Sequence, residues 1–230
     1  MRHVCCKKVQ LSLVFLLMLP LPALAMPAIA CHCFTDRSYD AARPALADPY
    51  FLATTQNSFF ALVFTVDKKT IVLKKQQGTS SEDLWIAYWV ASKAGVSPET
   101  LLQARLENEA WKDVLVPLRL TAKALGTRFS SALNAKSSTG HLAEAVLDEL
   151  ILRYQLLDDR ELAALRHVGA SNQELIIATL IAARTRQPAR QIYLEVKNGS
   201  RTWGSLLTRA NIDTKNLQRE ISSILKLQPQ

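Results

Sequence analysis

Glycine is scarce in this chain, 7 of 230 residues, and proline contributes only 9. That scarcity excludes collagen-like and low-complexity chains, and a hydrophobic content of 49% excludes a wholly disordered one. Cysteine is scarce too: 4 are too few for a small disulfide scaffold. Aromatic residues make up 7%, and no alternating polar–apolar run of useful length occurs, so a sheet has little to build on. Catalytic fingerprints are also missing. There is no Gly-x-Ser-x-Gly, His-Glu-x-x-His, P-loop or dinucleotide motif, and no cofactor is implied. Leu and Ala, which favour helices, dominate what is left. The predicted fold class is all-α.

The first residues read as an address. Arg2, Lys7 and Lys8 form a basic start, and an apolar run from Val9 to Ala25 follows, interrupted by Gln10, Ser12, Pro20 and Pro22. The run closes on Ala23-Leu24-Ala25, the small-x-small pattern accepted by signal peptidase. It is short for a membrane span of about 20 residues, and its prolines break a helix. Residues 1–25 are therefore expected to be a signal peptide, the mature chain periplasmic and without a transmembrane helix. A second triplet, Ala28-Ile29-Ala30, precedes Cys31 and resembles a bacterial lipobox, with Ala28 where that family prefers Leu. The resemblance implies a cut at 30/31 and acylation of Cys31, holding the chain to a membrane by lipid alone.

With the leader gone, the remaining cysteines sit in Cys31-His32-Cys33, inside an extended segment expected over 26–48. Thiolate and imidazole suit zinc or copper, but a closed site needs four ligands and the other histidines, His141 and His167, stand alone. A strained disulfide between Cys31 and Cys33, a bond to another chain, or acylation are the alternatives. The favoured reading is a tether or staple at the N-terminus.

Charge is uneven along the rest. Residues 26–180 carry 16 Lys+Arg against 17 Asp+Glu, whereas 181–230 carry 9 against 3. A basic C-terminal quarter suggests an anionic partner, with Arg184, Arg186, Arg190, Arg201, Arg209 and Lys215 as the contact residues. For an exported chain that partner is an envelope protein, an envelope polymer or an anionic lipid surface.

Helix punctuation is dense. Asp48-Pro49 reads as N-cap and first helical residue, and Tyr50 to Phe64 as a buried helix whose polar stretch Thr54–Ser58 marks a turn or kink. Thr79 with Glu82 and Ser171 with Glu174 have capping-box spacing, Ser97-Pro98-Glu99 opens another helix, and Asp213 opens the last. Segments starting at Val66, Val96 and Leu157 align with one another, and less well with one at Gln187. Each has a paired apolar position in a second helix downstream: Leu84-Trp85, Val114-Leu115, Leu175-Ile176 and Leu206-Leu207. A copy near 126 fits poorly, with Gly126 and Ser131 at its apolar places. The reading is short helical hairpins in degenerate ~30-residue repeats, solenoid-like or an irregular bundle, divided into halves at 49–135 and 136–230. Trp111 and Trp203 occupy equivalent places before the second helix and are expected to anchor the core.

Three functions compete. The first is an exported, non-catalytic scaffold or binding protein of the cell envelope. The second is an envelope hydrolase using a single carboxylate, drawn from Glu107, Glu109, Asp148, Glu149, Asp158 and Asp159, with His141 or His167. The third is nucleic-acid binding, since Glu161 to Leu175 has helix-turn-helix grammar around Gly169, but an export signal argues against it. The Cys31–Arg37 block, Asp48-Pro49-Tyr50-Phe51-Leu52-Ala53 and Ser97-Pro98-Glu99 together resemble predicted exported proteins of Gram-negative bacteria. No activity attaches to that resemblance.

Overall fold

A computed structural model describes residues 46–226. The leader over 1–25 and the Cys31-His32-Cys33 cluster lie outside the described residues. Among those residues the chain forms thirteen α-helices and no strand: α1 (Asp48–Phe64), α2 (Lys68–Gln76), α3 (Ser81–Ala94), α4 (Pro98–Glu107), α5 (Trp111–Leu115), α6 (Ala122–Leu125), α7 (Thr127–Asn134), α8 (Thr139–Arg153), α9 (Asp159–His167), α10 (Asn172–Thr185), α11 (Ala189–Lys197), α12 (Trp203–Arg209) and α13 (Leu217–Ile224). The fold is all-α, and no helix among the described residues is long and apolar enough to cross a membrane.

Burial explains which helices form the centre. Residues 54–61 of α1, 84–91 of α3 and 175–181 of α10 are buried without a break. A helix covered on every face has to lie inside, with amphipathic helices around it. α1 packs on α2 and α3 and also on α10, α12 and α13, while α3 packs on α8. Phe59, Phe60 and Phe64 of α1 meet Trp85 and Tyr88 of α3 in one aromatic cluster; the Phe60 and Trp85 ring centroids are 4.7 Å apart. Trp111 and Trp203 open α5 and α12 and are each 2% exposed; the Trp111 indole donates to Asp83 Oδ1 at 2.8 Å.

The polar stretch Thr54–Ser58 makes no kink. It lies within one continuous helix and is buried with the rest, because neighbours enclose α1 all round. Gln56 accepts from Gln173 at 2.9 Å, and Asn57 accepts from the Lys75 ammonium at 2.7 Å. The hydroxyls of Thr54, Thr55 and Ser58 and the indole nitrogen of Trp85 have no hydrogen-bond partner among the described residues.

First helices of successive hairpins start at residues 68, 98, 127, 159 and 189, and second helices at 81, 111, 139, 172 and 203. The hairpin at α7–α8 occupies the place where the sequence copy looked poor. Its core position is filled by Phe129, fully buried two residues before Ser131, and Leu142-Ala143 supply the apolar pair of the second helix. The contacts do not confirm a solenoid. α3 packs on α8 across the intervening hairpin, and α1 on α10, more than a hundred residues away. The boundary expected at 135/136 falls in the turn between α7 and α8, which pack together, and the described residues belong to one compact unit.

Capping corrects two further expectations. The N-cap of α3 is Ser80, accepting from Asp83 N at 3.0 Å, one residue past the expected Thr79. Asp48 does not cap its own helix: its carboxylate accepts from Trp203 N and Gly204 N, both at 2.9 Å, at the start of α12. Two other helices are capped from a distance. Glu149 of α8 accepts from Arg128 N of α7 at 2.7 Å, and Glu161 of α9 accepts from Ala189 N of α11 at 2.5 Å. These helices follow Gly126 and Pro188, which carry no capping oxygen, so a remote carboxylate meets the exposed N–H groups. Gly126 is required: its φ of 89° and ψ of 150° are essentially glycine-only, and a Cβ there would lie 2.4 Å from the Glu149 carboxyl carbon.

Candidate functional site

Asp158 ends the chain entering α9 and caps it, accepting from Glu161 N at 2.8 Å. That turn places Arg160 in the first turn of α9, facing the loop that leaves α10. The loop is sharp because α10 stops at Arg186, in the left-handed region at φ 59°, and Pro188 then bars a continuing helix. α9 packs on α11 and α10 on α11, so the three helices enclose an open groove of about 670 Å³. Leu156, Leu157, Ala164, Ala182 and Ala183 form its floor and walls, and Arg160, Arg186 and Arg190 line it.

The electrostatics follow from which acids are occupied. The groove has two carboxylates, Asp158 and Glu161. Both already accept backbone N–H groups, at α9 and α11. Its three arginines are exposed, and none forms an ion pair among the described residues. Three guanidinium groups around one apolar-floored groove suit carboxylates or phosphates, which the guanidinium fork grips in a bidentate manner.

Of the six basic residues expected from sequence, only Arg186 and Arg190 meet here. Arg184 donates to Glu220 on α13 at 2.6 Å, and Arg209 pairs with Glu195 at 3.3 Å, so both are neutralised within the fold. Arg201 and Lys215 are exposed and line no described cavity. Arg160 was missed because Asp158, Asp159 and Glu161 surround it in sequence and cancel it in any average. The spacing that would have found it is structural: an N-terminal turn of one hairpin opposite the C-terminal end of the next helix.

No protein-family model, curated protein or solved structure matches this chain significantly.

The carboxylates and histidines considered for catalysis do not converge. Asp148 accepts from Arg166 at 2.7 Å, Glu149 caps α7, Asp158 caps α9, and Asp159 pairs with Arg128. His141 lies on the surface beside Glu144 at 3.2 Å, and His167, Glu107 and Glu109 are exposed. No group of three metal-ligating side chains is found among the described residues. The segment with helix-turn-helix grammar is also engaged internally. Arg166 donates to Asp148, Ala170 O and Asn172 Oδ1, and α10 leaves no free face over 175–181 for a DNA groove.

Proposed function

We propose that this protein is an exported, non-catalytic helical scaffold of the cell envelope that holds an extended anionic chain in the Arg160–Arg186–Arg190 groove. The observation that carries the reading is the convergence on one groove of three guanidinium groups that form no ion pair among the described residues, while the groove's own two acids are tied into helix caps. The leader over 1–25 supplies the compartment, and the Cys31-His32-Cys33 segment supplies attachment by acylation or disulfide. A concave groove suits a strand of acidic polypeptide or envelope polymer better than a flat bilayer.

The test compares wild type with the triple variant Arg160→Gln, Arg186→Gln, Arg190→Gln for binding to poly-L-glutamate, purified envelope polymer and phosphatidylglycerol vesicles. Wild-type binding to the polymers should weaken steeply as salt rises from about 0.1 M to 1 M, where the screening length falls from about 10 Å to 3 Å. The triple variant should lose at least about tenfold at low salt, a change of about 1.4 kcal/mol. Equal binding by the variant, or tight binding to vesicles alone, would overturn the reading. Detection of the full-length, unprocessed chain in the cytoplasm would overturn the compartment.

A further inference from the structure

We propose that a second cavity, built by other helices than the arginine groove, binds a small organic anion: an apolar or aromatic body with one carboxylate or phosphate head. The cavity measures about 620 Å³ and lies where the C-terminal ends of α1, α3 and α8 meet the start of α4. Pockets of this size suit small organic ligands. Phe64, Trp89, Tyr154 and Leu150 provide apolar and aromatic wall, and Lys93 and Arg153 provide the charge.

The charges explain the sign of the ligand. Two carboxylates lie near, and both are occupied: Glu99 takes the Lys74 ammonium at 2.8 Å, and Glu149 accepts the α7 amide. Lys93 and Arg153 form no ion pair among the described residues. The Lys93 ammonium instead lies 4.2 Å from the centre of the Trp89 ring, which keeps it half-buried against an aromatic face. Burial, and then repulsion from Arg153, depress the Lys93 amine below its ordinary range, with Glu149 opposing. An anionic head between the two cations relieves that repulsion and replaces water lost from Lys93. The ring of Trp89 is held for the purpose of packing by its indole N–H, which donates to Leu125 O at 2.9 Å, so the wall is preformed.

None of the helix ends is by itself the site. A cavity with aromatic walls, two cations that form no ion pair among the described residues, and neighbouring acids already engaged make it together. Both cations sit in last turns of helices and neither is buried in the core, so charge can be removed without emptying it.

Isothermal titration of 2-naphthoate, 2-naphthyl phosphate and neutral 2-naphthalenemethanol into the folded chain tests the site. Naphthoate or naphthyl phosphate should bind at least tenfold more tightly than the alcohol, and the tighter of the two identifies the head group. Lys93→Met and Arg153→Met should each cost tenfold or more for the anion and leave the alcohol unchanged. Far-UV circular dichroism and melting temperature confirm that both variants fold. Equal binding of anion and alcohol, no binding of either anion at millimolar concentration, or an unchanged anion affinity in either folded variant would overturn the proposal. The triple arginine variant of the groove should bind these probes like wild type, so the two sites fail independently.

Discussion

Arg166 is the clasp between the α7–α8 hairpin and the two helices that follow it, and its removal is the most informative perturbation of the fold. Its guanidinium reaches Asp148 Oδ1 on α8 from Nε at 2.9 Å and Nη2 at 2.7 Å, Ala170 O at 2.9 Å, and Asn172 Oδ1 at 2.6 Å. The two side chains are only 16% and 11% exposed. Arg166→Met keeps the length of the stem and its packing but leaves the Asp148 carboxylate buried without its cation. Breaking a buried pair by deleting one partner costs about 3–5 kcal/mol, and the residual exposure places this case near about 3 kcal/mol. Replacing both partners, Asp148→Leu with Arg166→Met, removes the uncompensated charge and should cost about 1 kcal/mol or less. Urea denaturation followed by far-UV circular dichroism measures all four corners of the cycle. The expected coupling is at least about 2 kcal/mol. Additive losses, with the double variant as unstable as the sum of the single ones, would refute the reasoning.

Three further outcomes follow from the same structure. Thr55→Val removes a fully buried hydroxyl that has no partner among the described residues while keeping its shape, and should stabilise the fold by about 1–2 kcal/mol in thermal or urea unfolding; a loss of stability would show that the hydroxyl is used. Asp48→Ala should cost about 1–2 kcal/mol and speed hydrogen exchange at Trp203 and Gly204 first, because those amides lose their acceptor; unchanged exchange there would refute the remote cap. Glu99 is held below the ordinary carboxylate range by its hydrogen bond to Lys74. Its small contribution is therefore present above that range and lost as pH falls through the depressed value, so Lys74→Ala should cost a few tenths of a kcal/mol at neutral pH and nothing at strongly acidic pH. Acid titrations of wild type and variant that stay parallel throughout would contradict it.

Local signals in the sequence were legible and long-range ones were not. Ser97, Ser171 and Asn198-Gly199 mark helix ends through bonds within a few residues, and the structure places caps there. The starts of α7 and α11 have no local cap after Gly126 and Pro188, because their caps come from Glu149 and Glu161, on other helices. Asp48 reads from sequence as the cap of its own helix for the same reason: its partners lie 155 and 156 residues away. The stretch Thr54–Ser58 reads as a turn or kink by polarity, and only the surrounding helices let it continue as buried helix. The groove shows the same limit. Arg186 and Arg190 stand out in a basic segment, while Arg160 is masked by neighbouring acids and Arg184 and Arg209 are cancelled by acids that the fold brings to them.

Nitrogen–proton NMR mapping of bound poly-L-glutamate tests the central claim most directly, since it reports where an anionic chain touches rather than whether it binds. Shifts should concentrate on residues 158–164 and 182–190, and vanish in the triple arginine variant. Shifts centred on Arg201 and Lys215, or spread evenly over the basic surface, would contradict the groove as the site of contact.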